Sequence, residues 1–198
     1  NTASDATNCG GCGTVCSSNN GSPSCLAGAC QIVCTAGFAN CDGSLLNGCE
    51  VPLNTDYIHC GACGTLCSST NVPSPTCAGG LCNGACAAGF ADCNGNRQVD
   101  GCEVALGTDA TNCGGCNVQC SGNHVAAPAC AAGVCSGACD AGWADCDGNK
   151  QSSGCEQNVS TSAANCGACG VVCSGSNIAT PTCAAGLCSG ACNAGFAD

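Results

Sequence analysis

The sequence contains almost no positive charge, few aromatic rings and no methionine. Of its 198 residues, two are Lys or Arg and five are aromatic, and 13 Asp and Glu residues give a net charge of −11. Nucleic acids and anionic membrane surfaces are bound by clustered cations, so this composition argues against both kinds of partner. No apolar run approaches the length of about 18 residues that a membrane span requires, so we predict no membrane span. The start of the chain also lacks the basic and apolar segments of a signal peptide.

A large hydrophobic core is excluded as well, because much of the apolar fraction of 45% is alanine and cysteine. What the chain does have is cysteine. Its 30 cysteines exceed the content that alone marks a disulfide scaffold. Cytosolic thiols are kept reduced, whereas disulfides persist outside the cell. We therefore predict an extracellular or cell-surface protein.

The cysteines recur in four repeats of one pattern. The motif Cys-Gly-x-Cys begins at Cys9, Cys60, Cys113 and Cys166. We divide the chain into repeat 1 (1–53), repeat 2 (54–106), repeat 3 (107–159) and a truncated repeat 4 (160–198). Repetition at a fixed period indicates an array of similar small units. Because the chain begins and ends away from a repeat boundary, we expect it to be processed or to be part of a longer array.

Each repeat is too small to be held together by burial alone, which favours stapling by disulfides. Gly, Ser, Asn and Pro between the cysteines indicate turns, and segments such as Gly170 to Cys173 are long enough only for very short strands. The fold class that we predict is small disulfide-rich tandem repeats, mostly turns and irregular loops with short β-strands or hairpins. We expect an elongated repeat array with no large core.

The sequence leaves the disulfide partners open, since the eight cysteines of one full repeat allow roughly a hundred pairings. One arrangement leaves no cysteine unpaired in the truncated repeat 4, namely a bond between the seventh and eighth cysteines of each full repeat. It would join Cys41 with Cys49, Cys93 with Cys102, and Cys146 with Cys155. Each bond would close the intervening loop at its base. If these cysteines pair elsewhere, repeat 4 contains unpaired cysteines.

That intervening loop is the strongest candidate for a site. Oxygen-bearing side chains occupy its positions 1, 3, 5, 7, 9 and 12, which is the ligand spacing of an EF-hand calcium loop. In repeat 3 they are Asp145, Asp147, Asn149, Gln151, Ser153 and Glu156, and in repeat 2 they are Asp92, Asn94, Asn96, Gln98, Asp100 and Glu103. Repeat 1 keeps Asn40, Asp42, Ser44 and Glu50. Calcium that stabilises the array is therefore a candidate cofactor.

The same loop also has a purely structural interpretation. Position 6, a glycine in EF-hands, is Arg97 or Lys150, and these are the only cationic side chains of the Lys and Arg type in the chain. Their placement predicts that they neutralise the acidic side chains in a salt-bridged turn. The flanks do not have the character of EF-hand helices. We expect a stapled turn with or without calcium.

The three phenylalanines and the one tryptophan share a single position in the repeats. The segment Ala-Gly-aromatic-Ala supplies Phe38, Phe90, Trp143 and Phe196. We predict that these rings pack within their own repeat or against the next one. His59 and His124 lie at different places in their repeats, so we expect surface or turn residues rather than catalytic bases.

No conventional catalytic constellation is present, and we predict that the protein is not an enzyme. The Cys-x-x-Cys motifs could also be zinc sites or redox pairs. A redox enzyme needs one distinctive pair, however, whereas this chain has four nearly equivalent copies. Structural disulfides are therefore the favoured interpretation.

Two segments carry a resemblance to known proteins. They are TDYIHCGACGTLC (residues 55–67) and TDATNCGGC (residues 108–116). They resemble the signature of the stigma-specific cysteine-rich family and its relatives among secreted bacterial repeat proteins. The later part of each repeat, from Pro-x-Cys to Gly-Cys-Glu, is more similar to cysteine-rich repeats of bacterial surface proteins. The resemblance implies a secreted protein without enzymatic activity.

These observations favour a non-enzymatic extracellular structural protein, a disulfide-stapled rod that forms or belongs to a surface fibre, filament or stalk by head-to-tail self-association. The alternative is an adhesin or ligand-binding module with a protein or glycan partner. Its recognition surface would be the variable loops between the third and fourth cysteines, residues 17–24, 68–76, 121–129 and 174–182. A metal-storing thiol protein is a third hypothesis.

Overall fold

The computed structural model describes residues 1–197, and all the regular elements in that range are short β-strands. In chain order they are β1 (Gly21–Leu26), β2 (Ala29–Cys34), β3 (Phe38–Ala39), β4 (Val51–Pro52), β5 (Thr76–Ala78), β6 (Leu81–Asn83), β7 (Phe90–Ala91), β8 (Val104–Ala105), β9 (Ala129–Ala131), β10 (Val134–Ser136), β11 (Trp143–Ala144), β12 (Gln157–Asn158), β13 (Thr182–Ala184) and β14 (Leu187–Ser189). They form two-stranded antiparallel sheets. Within residues 1–197 no helix could cross a membrane. The predicted fold class, small disulfide-rich repeats of turns and hairpins, is confirmed.

The first kind of hairpin carries the fourth and fifth cysteines of a repeat, and we call it the cystine hairpin. The cystine hairpins are β1–β2, β5–β6, β9–β10 and β13–β14. In β1–β2 the two turn residues, Ala27 and Gly28, both have positive φ, 53° and 80°. Positive φ at both positions gives a turn whose twist matches that of the strands. The turn therefore places Cys25 directly opposite Cys30.

The second kind, the closing hairpin, has two residues in each strand and carries the repeated aromatic residue. The closing hairpins are β3–β4, β7–β8 and β11–β12. In each of them the strands flank the acidic loop that contains the seventh and eighth cysteines. Phe196 stands at the corresponding position of repeat 4 and lies outside any strand among the described residues.

Four rules describe the fourteen disulfides of the described residues. The first cysteine of a repeat bonds to the fourth, the third to the fifth, and the sixth to the eighth, as in Cys9–Cys25, Cys16–Cys30 and Cys34–Cys49. The seventh bonds to the second cysteine of the following repeat. These bonds are Cys41–Cys63, Cys93–Cys116 and Cys146–Cys169.

The predicted bonding of the seventh cysteine to the eighth is therefore wrong, although all six cysteines are in disulfides. The bonds of the eighth cysteines are Cys34–Cys49, Cys86–Cys102 and Cys139–Cys155. The reason is that the backbone N–H of each eighth cysteine donates to the loop after the third cysteine, which brings it to the sixth. As expected for a different pairing, repeat 4 contains an unpaired cysteine, Cys192, and Cys12 of repeat 1 is unpaired as well.

The buried interior is made mostly of half-cystines. In repeat 1 the cluster consists of Cys9, Cys16 and Cys25, with Cys30 packed against it, and each of the other repeats has a corresponding cluster of cysteines. The other buried side chains of the described residues are valines, of which Val72 is 1% exposed. The expected absence of a large apolar core is confirmed.

The glycine of the Cys-Gly-x-Cys motif is required by a close approach of two backbone segments. A Cβ at Gly61 would lie 2.7 Å from the carbonyl oxygen of Gly80 in the turn of the cystine hairpin, and φ at Gly61 is 79°. Gly10, Gly114 and Gly167 meet their own hairpin turns in the same way. The motif therefore rests against the hairpin to which its first cysteine is bonded.

The described residues group into two compact units. One consists of Asn1–Ala88 with Asn94–Glu103, and the other of Gly89–Cys93 with the residues from Val104 onward. The boundaries of the four repeats stay predictions from the sequence.

Candidate functional site

The segment before the first cysteine forms a turn around an aspartate. Asp5 Oδ1 accepts hydrogen bonds from the N–H and the hydroxyl of Thr7 at 2.9 and 2.7 Å, and Oδ2 accepts one from Asn8 Nδ2 at 2.9 Å. Asn8 Oδ1 accepts a further bond from the N–H of Gly13 at 2.9 Å. The Asn8 amide, and after it the donors of Thr7, lower the pKa of Asp5 to about 2. The turn around Asp5, with Asn8 bonded to both Asp5 and Gly13, thus supports the Cys-Gly-x-Cys loop.

Other repeats keep this turn with substitutions. In repeat 3 the hydroxyl of Thr111, the amide of Asn112 and the Thr111 N–H lower the pKa of Asp109. In repeat 2 the asparagine is replaced by His59, whose Nδ1 accepts from the N–H of Gly64 at 2.8 Å. His59 therefore takes over the acceptor role of the asparagine. This agrees with the prediction that His59 is a turn residue.

The acidic loop of repeat 3 brings three of its six predicted ligands together. Carboxylate oxygens of Asp145, Asp147 and Glu156 lie within 4.8 Å of one another. Glu156 Oε1 accepts from the N–H of Cys146 at 2.9 Å, whereas its Oε2 is buried without a hydrogen-bond partner. These three carboxylates are the side chains that could hold a hard cation such as calcium, which prefers oxygen ligands.

The other three predicted ligands of repeat 3 are used differently. Asn149 Oδ1 accepts from the N–H of Ser152 at 3.2 Å, and Gln151 is exposed. Ser153 Oγ donates to the carbonyl oxygen of Asn149 at 2.6 Å and contacts Asp147 Oδ1 at 3.1 Å. Hydrogen bonds within the loop therefore account for much of its oxygen pattern, and calcium binding stays a prediction.

The loop of repeat 2 is closed by similar bonds. Asn94 Nδ2 donates to Asp100 Oδ2 at 2.6 Å, and Asn94 Oδ1 accepts from the N–H of Asn96 at 2.7 Å. The carbonyl oxygen of Gln98 accepts from the N–H of Ser68 at 3.0 Å. Of the remaining two predicted ligands, one directly follows β7 and the other directly precedes β8. They are Asp92 and Glu103.

Repeat 1 has the same closure with a shorter loop. Glu50 Oε1 accepts from the N–H groups of Cys41 and Asp42 at 2.9 and 3.2 Å. Asn40 Oδ1 accepts from the N–H of Gly43 at 2.8 Å. The N–H of Ser44, and after it the Asn47 amide, lower the pKa of Asp42. The glutamate after the eighth cysteine thus binds the backbone at the seventh cysteine.

The two cations reach equivalent backbone carbonyls. Lys150 Nζ donates to the carbonyl oxygen of Gly137 at 2.8 Å, and Arg97 Nη1 donates to that of Gly84 at 2.8 Å. Both glycines follow the fifth cysteine of their repeat by two residues. The cations therefore tie the acidic loop to the cystine hairpin, a contact that the expectation of a salt-bridged turn did not include.

The sequence reasoning missed a stacked pair of rings in repeat 3. The rings of His124 and Trp143 are 3.4 Å apart between centroids and 7° from parallel. His124 has φ of 50° at a position that is otherwise asparagine, and Trp143 replaces phenylalanine. The signal that could have revealed the contact is that both exceptions occur in one repeat. Phe38 and Phe90 are partly buried in their closing hairpins, whereas Phe196 is 55% exposed.

Disulfide formation removes most candidate metal ligands of the thiolate type. Clusters such as Cys60, Cys67 and Cys82 have their sulfur atoms within 4.8 Å of one another, but each of these sulfurs is already in a disulfide. Zinc and soft metals bind the thiolate, so these clusters cannot hold such a metal while their disulfides are intact.

No family model, no curated protein and no solved structure matches this chain. The extensive disulfide bonding is what places the protein among extracellular, disulfide-stabilised proteins.

Proposed function

We propose that this protein is an extracellular structural protein without enzymatic activity, a disulfide-stapled rod that belongs to a surface fibre or stalk. The observation that carries the proposal is the bond from the seventh cysteine of one repeat to the second cysteine of the next. Such a bond joins neighbouring repeats a second time, in parallel with the backbone. A chain that bears load benefits from this second connection, whereas a set of independent binding modules does not need it.

The overlap of the disulfide loops supports the same role. The loop closed by Cys41–Cys63 overlaps the loop of Cys34–Cys49 before it and that of Cys60–Cys77 after it. The overlapping disulfide loops form an uninterrupted group from the sixth cysteine of one repeat to the fifth cysteine of the next. Three residues outside any disulfide loop separate one such group from the following group. Tension along the chain would therefore be carried largely by covalent bonds rather than by hydrogen bonds or packing.

The loops that an adhesin would use are partly committed to the fold. The carbonyl oxygens of Asn19, Thr70 and Asn123 accept hydrogen bonds from the N–H of the eighth cysteine at 2.9 to 3.0 Å. Val72, in the same loop of repeat 2, is buried. One side of each of these three loops thus holds its repeat closed, which favours the structural role over the adhesive one.

Electron microscopy of the purified, oxidised protein over a range of concentrations tests the proposal. We expect thin fibres that persist in detergent and disappear after reduction. Compact monomers at every concentration would contradict the fibre. Specific attachment to a protein or glycan surface, abolished by replacing one variable loop while the disulfides stay intact, would favour the adhesin instead.

A further inference from the structure

Each repeat holds its Cys-Gly-x-Cys loop with one side chain, and only repeat 2 uses a side chain that titrates near neutral pH. The residue before the first cysteine accepts a hydrogen bond from the N–H of the residue after the second cysteine. With an asparagine as the acceptor, the bonds are Asn8 with Gly13 at 2.9 Å, Asn112 with Asn117 at 2.8 Å and Asn165 with Gly170 at 2.7 Å. In repeat 2 the acceptor is His59 Nδ1, 2.8 Å from the backbone nitrogen of Gly64. Repeat 2 therefore differs from the others by an acceptor that changes with pH.

The bond to Gly64 fixes the protonation state of the histidine ring. A ring nitrogen accepts a hydrogen bond only when it has no proton of its own, so His59 is neutral here, with its proton on Nε2. An asparagine oxygen stays an acceptor at every pH. Histidine side chains gain a second proton in mild acid, and Nδ1 then becomes a donor. Because the Gly64 N–H is a donor too, the bond cannot survive protonation of the ring.

The same turn contains an acceptor for the protonated ring. In repeat 1 the Asn8 side chain bonds on both sides, since its Oδ1 accepts from the loop and its Nδ2 donates to Asp5 Oδ2 at 2.9 Å. Asp56 corresponds to Asp5, and its Oδ1 accepts from the N–H of Ile58 at 2.9 Å. The threonine hydroxyl and the asparagine amide that bond to Asp5 have no counterpart in repeat 2, where Ile58 and His59 replace them. Asp56 therefore lacks two of the donors that Asp5 has.

A half-turn of the imidazole ring connects the two bonding positions. Nδ1 and Cδ2 are both attached to Cγ, as Oδ1 and Nδ2 are in asparagine. While Nδ1 of His59 faces Gly64, Cδ2 corresponds to the asparagine amide nitrogen that faces the aspartate. Rotation about the Cβ–Cγ bond exchanges the two atoms and directs the Nδ1–H towards Asp56. A hydrogen bond between two charged groups is stronger than one between neutral groups, so the protonated ring favours this second position.

The segments around His59 offer few other charges. Its ionisable neighbours are Asp56 and Tyr57 on the turn itself, and Asp42 and Glu50 on the acidic loop of repeat 1, which the Cys41–Cys63 bond joins to this loop. Tyrosine is neutral in mild acid. Asp42 and Glu50 already accept hydrogen bonds from donors of their own loop. The cystine hairpin of repeat 2 contains no acidic or basic side chain. Asp56 is therefore the acceptor for the protonated ring.

We propose that His59 makes the junction between repeats 1 and 2 responsive to pH. Neutral His59 holds the loop that carries Cys63, which is bonded to Cys41 of repeat 1. Protonation breaks the bond to Gly64 and turns the ring to Asp56, so the N–H beside the junction cysteine is released in mild acid and bound again near neutral pH. The corresponding loops of repeats 3 and 4 keep an asparagine and do not respond. The proposal does not depend on fibre formation, because it concerns one loop of a single chain.

Amide hydrogen exchange of the full oxidised chain, followed by NMR, tests the proposal at the Gly64 N–H. Gly170 is the internal reference, because the segment Ala-Cys-Gly is identical at 62–64 and 168–170 and both cysteines are in bonds between repeats. The acceptor of the Gly170 N–H is Asn165, which does not titrate. We expect the protection of Gly64 relative to Gly170 to fall about threefold to tenfold between about pH 7.5 and about pH 5, the effect of losing one hydrogen bond.

The matched variant is His59→Asn, because asparagine occupies this position in the other three repeats. In this variant the ratio of Gly64 to Gly170 protection should stay constant over the same pH range. The carboxyl resonance of Asp56 gives a second readout, and it should shift as the ring is protonated in the native chain but not in the variant. A native ratio that stays constant, or that falls equally in His59→Asn, would overturn the proposal. An Asp56 resonance that does not follow the protonation of the ring would overturn the turn of His59 towards Asp56.

Discussion

The disulfide connectivity predicts how far the chain can be stretched before any covalent bond breaks. The perturbation is a pulling force applied between the two ends, first on the oxidised protein and then in the presence of a reductant. With the bonds intact, the shortest covalent path from Cys9 to Cys188 runs through disulfides wherever they shorten the route. The seven that it crosses are Cys9–Cys25, Cys41–Cys63, Cys67–Cys82, Cys93–Cys116, Cys120–Cys135, Cys146–Cys169 and Cys173–Cys188.

The magnitude follows from the lengths along this path. It contains about 50 residue steps in place of the roughly 180 of the backbone, at about 3.3 to 3.6 Å per step. The crossings add about 5.5 Å each, the usual Cα separation across a disulfide. The maximal length between Cys9 and Cys188 is therefore about 210 Å when oxidised and about 600 Å when reduced. Reduction should release about 400 Å of extra length.

Single-molecule force spectroscopy measures this difference directly. If the seventh cysteine were bonded to the eighth and the second and sixth cysteines were unpaired, about 85 residue steps would remain and the oxidised chain would reach about 330 Å. An oxidised length near that value would refute the bonds between repeats. The same chain pulled without reductant, before and after repeated relaxation, is the control for slippage at the handles.

Three further predictions concern single sites. The Asp5 carboxyl has its pKa lowered to about 2 in the folded state, so it contributes stability to its turn that is present above about pH 4 and is lost as the pH falls through about 2. A carbon-detected NMR titration of the Asp5 carboxyl should show this midpoint. An unchanged midpoint in the Asn8→Ala variant would contradict the Asn8 amide as the main cause of the lowered pKa. Gly61→Ala should lower thermal stability more than Gly64→Ala, because both have positive φ but only the first would place a Cβ against a backbone carbonyl; equal losses would contradict the close approach. Calcium should shift the Glu156 carboxyl resonance saturably and magnesium should not; equal effects of the two ions, or no saturation, would contradict the sequence prediction of a calcium loop.

The sequence was sufficient to predict the local features of the fold. Period and spacing indicated the repeats, and the density of turn residues indicated hairpins without helices. The repeats and the hairpins depend on residues that are close in sequence. An example is the pair Ala27 and Gly28 in the first cystine hairpin, whose positive φ values make the turn. The extracellular, disulfide-stabilised character followed from composition alone.

Disulfide partners could not be predicted, because they depend on where the chain returns in space. Cys41 is nearer in sequence to Cys49 than to Cys63, yet the eighth cysteine is held at the sixth by the loop that begins after Cys16. The spacing of neighbouring cysteines along the sequence contains no information about this long-range contact.

The acidic loop is a second feature that the sequence predicted only in part. Its oxygen spacing matched a calcium loop, and three carboxylates of repeat 3 do converge. The structure also assigns Glu156 Oε1 to the N–H of Cys146, and Lys150 to a carbonyl of the cystine hairpin. Hydrogen bonds to backbone groups cannot be deduced from side-chain spacing, so a stapled turn and an ion site share one sequence pattern.

Disulfide mapping of the native protein tests the central claim most directly. Digestion with pepsin at low pH, where thiol–disulfide exchange is suppressed, followed by mass spectrometry before and after reduction, identifies the linked peptides. The structure predicts a peptide pair that joins Cys146 to Cys169, and corresponding pairs for Cys41 with Cys63 and Cys93 with Cys116. Recovery of Cys146 linked to Cys155 instead would contradict the covalent connection between repeats and with it the proposed structural role.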